Sequence, residues 1–276
     1  MKTTHLITSA LLLFLLIWQN GNAQTSPVSN NHKFRIGAGL DYVNTLDLQY
    51  SPNIYHSLRP NLDLSFMKST GKGIFLMELD VFMGSLKPIG GAQNSVYIEE
   101  TDINGEKSLD IRKLAYTQMG ATFKLGYMHK INAAPGINVL LGGSLADNLT
   151  YTPSIIYLGT INYTSLNAEA QLDYGLKNGK SISFGLTLPL VSSVTRMPYH
   201  NSPVFPDKTN LAAFFTNNTS TKLINHFQNI KCSIKYNWYL STKLSLDVKY
   251  EASWLHDSTP EHLTVIGNQL SMGLNF

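Results

Sequence analysis

Apolar and polar residues alternate one for one along most of the chain. Phe34, Ile36, Ala38, Leu40 and Tyr42 are separated by Arg35, Gly37, Gly39 and Asp41. The same beat runs through Leu58–Phe66, Phe75–Met83, Thr117–Tyr127, Leu166–Leu176, Ile182–Leu188, Ile230–Leu240, Leu244–Trp254 and Ile266–Phe276. Successive side chains of a strand point to opposite faces, so a period of two predicts strands. A further segment, Ile137–Leu149, alternates less cleanly because Leu140 interrupts its polar face, as Leu76 and Phe82 do in the third segment. Pro60 and Pro189 cannot donate to a ladder and are expected at strand ends or bulges. The total is ten strands.

The connections alternate as well. Short ones follow the even strands, at Ser69–Lys72, Asn132–Gly136, Lys177–Lys180 and Ser241–Thr242. Longer ones follow the odd strands, at Ser51–Ser57, Ser85–Ser108, Thr150–Thr160, Val191–Leu223 and His256–His262. Tight turns on one rim and long loops on the other are the layout of an up-and-down transmembrane β-barrel. A soluble lipocalin-like barrel would show the same alternation with its apolar face turned inward. Three features favour the apolar face outward, against lipid.

The first is the charge on the polar face: Arg35, Arg59, Lys124, Lys231, Lys235 and Lys249 stand with Asp41, Asp63, Glu78, Asp80, Glu169, Asp173, Asp247 and Glu251. Mixed signs in a narrow lumen can pair, which offsets their desolvation, so these residues are expected to form a lumen charge network. The second is aromatic placement. Phe66, Phe75, Tyr127, Tyr174, Trp238 and Phe276 gather towards the short-turn rim, and Tyr42, Tyr116, Tyr163, Tyr250 and Trp254 towards the other, as interfacial belts require. The third is that the last strand ends on an apolar-face residue, Phe276.

Composition narrows the picture further. Charged residues make up 14% of 276, below the roughly 25% of soluble domains, and a net charge of +3 gives no basic footprint for nucleic acid. The single cysteine, Cys232, excludes an internal disulfide. At the N-terminus, Lys2, an apolar run over Leu6–Trp18 and small Gly21 and Ala23 predict a secretory signal peptide over residues 1–23. No later apolar run is long enough for a spanning helix. The expected organisation is therefore a signal over 1–23 and one all-β, antiparallel barrel over 24–276.

With its signal ending Asn22-Ala23-Gln24, its two-residue alternation and its last strand Gln269–Phe276 closing on phenylalanine, the chain resembles the small outer-membrane β-barrel proteins of Gram-negative bacteria. The outer membrane protein beta-barrel domain common in Bacteroidota is the type it is most similar to. That resemblance implies residence in the outer membrane, lipid as the surrounding partner, and insertion by the barrel-assembly machinery with Phe276 as part of the insertion signal. It implies no cofactor and no particular activity.

Candidate chemistry is sparse. The ten-strand count also resembles the omptin surface proteases, but His256-Asp257 are adjacent where that family has an alternate Asp-x-His step. His200 with Ser202, and His256 with Ser258, are spaced two apart, loosely like the pair of outer-membrane lipid A deacylases. His56, His200, His226, His256 and His262 lie on the long-loop rim without close ligand spacing, so no metal site is expected. The acidic run Glu99–Glu106 offers oxygen ligands but lacks the EF-hand pattern, which favours a solvated charge run. The loops over 85–108 and 191–223 are the expected surfaces for an envelope or extracellular partner. The resulting expectation is a structural or binding barrel without a large pore. A narrow solute channel is the alternative, and a rim hydrolase ranks behind it.

Overall fold

The computed structural model describes residues 32–49, 52–89, 95–113, 116–134, 136–152, 160–176, 179–196, 210–241 and 244–276. The expected signal segment and the pair His200 and Ser202 lie outside them. Ten long strands form the wall: β1 (His32–Asp47), β2 (Ile54–Ser69), β3 (Gly73–Pro88), β6 (Tyr116–Ala134), β7 (Ile137–Tyr151), β8 (Ile161–Leu176), β9 (Lys180–Arg196), β11 (Phe227–Tyr239), β12 (Ser245–Asp257) and β13 (Leu263–Asn275). Each pairs antiparallel with its neighbours in chain order, and β1 pairs with β13 from Arg35↔Asn275 to Asp47↔Leu263, which closes the sheet. Phe34 and Phe276 exchange backbone hydrogen bonds of 2.8 and 2.9 Å at the foot of that seam. Closure removes every long edge, the condition for spanning a bilayer with strands.

The short connections make tight turns. Thr70 N–H and Oγ1 both donate to Gly73 O, and Gly136 and Gly179 turn with φ of 79° and 67°. Of the longer connections, two carry structure that alternation did not reveal. The 85–108 loop was expected to begin at Ser85, but β3 continues to Pro88 and a separate hairpin rises beyond it, β4 (Ser95–Thr101) with β5 (Lys107–Lys113). The 191–223 loop was expected to begin at Val191, but β9 runs on to Arg196, followed by helix α1 (Asn210–Asn217) and a short strand, β10 (Thr219–Leu223), paired with the upper part of β9.

The orientation is inside out. Leu40, Leu62, Leu145, Leu166, Leu270 and Met272 are exposed on the outer wall, whereas Asp247, Asp257, Ser57 and Ser165 are fully buried. Phe34, Phe75, Tyr127, Trp238 and Phe276 ring the short-turn rim outside, and Tyr42, Tyr250 and Trp254 ring the other. Tyr163 corrects that set. On β8 the outward residues are even-numbered, so Tyr163 points into the lumen, where it is 7% exposed. Leu270 sits midway along β13, facing outward. Leu270→Arg is expected to cost roughly 2–4 kcal/mol, the depth-dependent cost of a cation at the bilayer midplane. Guanidinium unfolding in lipid vesicles would measure it, and a neutral substitution would contradict the outward lipid face.

The two prolines behave differently. Pro189 makes a bulge: Leu166 pairs with Val191 but Asn167 pairs with Pro189, which leaves Leu190 extra. Pro60 is neither at a strand end nor at a bulge. It lies inside β2, and the β2–β3 ladder lapses between His56↔Lys87 and Asn61↔Phe82 without changing register. A residue with no N–H removes rungs on one side only.

Candidate functional site

The lumen is crossed by paired charge. Arg35 of β1 bonds Asp247 of β12 through Nε and Nη2, each at 2.8 Å, and pairs with Asp63 of β2 on its other side. It lies directly over Gly273 of β13, where any Cβ would overlap the guanidinium. Arg59 pairs with Asp41, donates to Gln118 Oε1 at 3.0 Å and lies 4.0 Å above the Phe82 ring. Lys124 bridges Glu169 at 3.1 Å and Glu78 at 3.4 Å, while Glu251 takes Lys249 at 2.7 Å and Lys231 at 3.5 Å. Asn61 and Gln269 donate to Asp80, and Gln171 donates to Asp173. Among the described residues Asp80, Asp173 and Lys235 form no ion pair. Leu76 and Phe82 line a lumen cavity of about 330 Å³, and Leu140 is fully buried. The residues that spoil the alternation are therefore lumen fillers.

Above this belt the interior turns apolar. Ile161, Tyr163, Val194, Phe227, Leu255 and Leu263 pack together, with the rings of Tyr163 and Phe227 5.1 Å apart. Asn229 Nδ2 donates to Tyr163 Oη at 3.2 Å on the side of the charged belt. A second ionic cluster, not anticipated from sequence, stands beside this layer, with Arg196, Asp257 and Asp47 directly opposite Ile161, Phe227 and Leu263. Arg196 Nη1 donates to Asp257 Oδ2 and to Glu261 O, both at 2.9 Å, and its Nη2 donates to Asp47 Oδ1 at 2.9 Å. Lys222 Nζ reaches Asp257 Oδ1 and Thr259 O, both at 2.6 Å. One guanidinium and one ammonium therefore tie the outer ends of β1, β9, β10 and β12 to the 258–261 loop. The signal that could have found Arg196 is Pro189. Below the bulge the inward residues of β9 are odd-numbered, Ser183 and Gly185 among them, and above it they are even: Ser192, Val194 and Arg196.

The candidate rim chemistry is not assembled as the spacing suggested. His256 faces outward, stacks between Trp254 and His262 at 6.0 and 5.7 Å, and contacts Thr264 Oγ1 through Nδ1 at 3.2 Å. Ser258 instead meets His226, with Oγ 3.3 Å from Nδ1, and also donates to His226 O. The neighbouring carboxylate, Asp257, is taken by Arg196 and Lys222. Among the described residues no group of three metal-ligating side chains converges. In the acidic run, Asp102 Oδ1 accepts the N–H groups of Asn104 and Glu106 at 2.8 Å, which holds its carboxyl below the usual carboxylate range. Its oxygens serve the hairpin turn.

A closed ten-strand antiparallel barrel, apolar outside and ionic inside, is a membrane-spanning β-barrel of the outer-membrane type. No protein-family model matches the chain, and no curated protein sequence does. Among solved structures it is similar to the outer membrane protease OmpT from Escherichia coli, at 6% identity and a TM-score of 0.47 over 92% of this chain and 99% of that one. It is also similar to the beta domain of the Bordetella autotransporter BrkA (8%, 0.42, 90% and 99%) and to the translocator domain of the autotransporter NalP from Neisseria meningitidis (9%, 0.37, 98% and 95%). These likenesses bring no activity to this chain.

Proposed function

We propose that the chain is an exported, integral outer-membrane barrel of the Bacteroidota type, cleaved after residue 23, with a structural or binding role and no large open pore. Insertion through the barrel-assembly machinery, with Phe276 in the recognised strand, belongs to the same reading. So does a partner surface on the 85–108 and 191–223 segments, which the β4–β5 hairpin and α1 give a defined shape. The observation that carries it is the side-chain filling of the lumen, by a belt of paired charge and, towards the long-loop rim, by the Arg196–Asp257 cluster beside an apolar layer. Ten strands enclose far less space than the 16–18 of open porins, and inward side chains occupy much of it.

The purified chain in a planar bilayer is expected to give no stepwise conductance. A reproducible open level would replace this reading with the narrow channel, which the lumen cavity of about 330 Å³ would then serve. A non-enzymatic role also predicts that His226→Ala and Ser258→Ala leave the lipid A profile of the host unchanged. Altered lipid A species would establish a rim hydrolase instead.

A further inference from the structure

We propose that the wall between β9 and β11 is a lateral portal through which an acyl chain from the outer half of the bilayer reaches the apolar layer around Phe227. The inference deepens the binding role above and rests on the chain spanning a bilayer. It starts from a break in the barrel ladder. β9 pairs with β11 from Lys180↔Trp238 to Thr187↔Lys231, and with β10 from Val191↔Leu223 to Thr195↔Thr219. Between those two ladders β9 has only Leu188, Pro189 and Leu190, whereas the facing chain has residues 224–230. None of these residues is paired across the seam.

The flanks hold firm. Leu188 and Pro189 still pair with β8, and Phe227–Ile230 still pair with β12. The lapse beside Pro60 keeps its register, so it leaves no slack. At β9 the opposite strand carries extra residues, and there Pro189 has no N–H with which to rebuild the ladder. Over this stretch the wall lacks the ladder that joins β9 to β11 below it and to β10 above it.

Those side chains define what can pass. Leu190, Leu223 and Ile224 are exposed on the lipid side at 49%, 58% and 41%. Immediately inside stands Phe227, fully buried, its ring against Tyr163, with Val194 and Leu255 behind it. The cavity of the lumen reaches this layer through Tyr163, Leu255 and Leu263. The path is apolar at its mouth and through the packed layer of Phe227, Tyr163, Val194 and Leu255, which parts to admit a guest, so it suits a group that needs no hydrogen bonds and carries no charge. The seam lies in the wall beside exposed Leu190, which makes the bilayer the source. In this arrangement Phe227 is the door.

Photolabelling tests the portal. The chain is reconstituted in phosphatidylcholine vesicles whose acyl chains carry a mid-chain diazirine, irradiated, and its adducts mapped by mass spectrometry. Adducts are expected on inward Tyr163 and Leu255 as well as on outward Leu270 and Met272. Leu190 and Ile224 are exposed on either side of the unpaired stretch, and a Leu190→Cys/Ile224→Cys disulfide, in a Cys232→Ser background, ties the two sides together. Oxidation is expected to abolish the inward adducts, keep the outward ones, and be reversed by reduction. Phe227→Ala is expected to raise the inward labelling. Adducts confined to Leu270 and Met272 in the reduced protein, or inward adducts that survive oxidation, would overturn the portal and leave the membrane barrel standing. Absence of adducts at both sets would remove the barrel reading and the portal together.

Discussion

Asp257→Ala is expected to destabilise the folded barrel by roughly 3–5 kcal/mol, the cost of leaving buried charge without its partner. The Asp257 side chain is fully buried and holds both Arg196 and Lys222. Its loss strands an ammonium and weakens the hold on a guanidinium that is itself 3% exposed. Lys222→Met is the informative contrast. Removing this cation leaves Asp257 with Arg196, so a cost within about 1 kcal/mol is expected. Guanidinium midpoints in lipid vesicles at unchanged m compare the two. Equal effects would mean that water reaches the cluster and that the outer mouth is open.

Arg35→Ala is the second large effect, also about 3–5 kcal/mol, because it leaves Asp63 and Asp247 buried without their shared cation. Arg35 joins β1 to β2 on one side and, by passing over Gly273, to β12 on the other. The loss therefore falls on the seam where the barrel closes. A triple variant, Arg35→Met with Asp63→Leu and Asp247→Leu, is expected to recover most of the stability, since apolar replacement of a whole buried ion group is often neutral. Failure of the triple variant to recover, measured by the same unfolding midpoint, would show that the geometry of Arg35 itself is needed for closure.

Much of this architecture was legible because strand geometry forces each residue to one face or the other. Once Leu270 and Asp247 were placed, parity placed the rest of their strands, and with them the charge network from Arg35 to Glu251. The same rule places Tyr163 inward, against its expected place in the outer belt. What parity could not supply was the consequence of one surplus residue. The bulge at Pro189 exchanges the faces of β9, and Arg196 enters the lumen only because of it. The β4–β5 hairpin and α1 stayed hidden because their faces do not have to divide lipid from lumen, so no strict alternation marks them. Side-chain pairing at the rim followed tertiary position: Ser258 found His226, thirty-two residues away, before its near neighbour His256.

The greasy mantle of the outer wall has a consequence for how the protein reaches its final state. Leu40, Leu62, Leu270 and their neighbours form a surface that water would not tolerate on a finished barrel. The interior offers only the small apolar layer from Ile161 to Leu263 as a core that could be buried first in an aqueous compartment, among the described residues. Completion of the fold and entry into a bilayer are therefore one event, and before it the polypeptide must travel as an open chain shielded from its own kind.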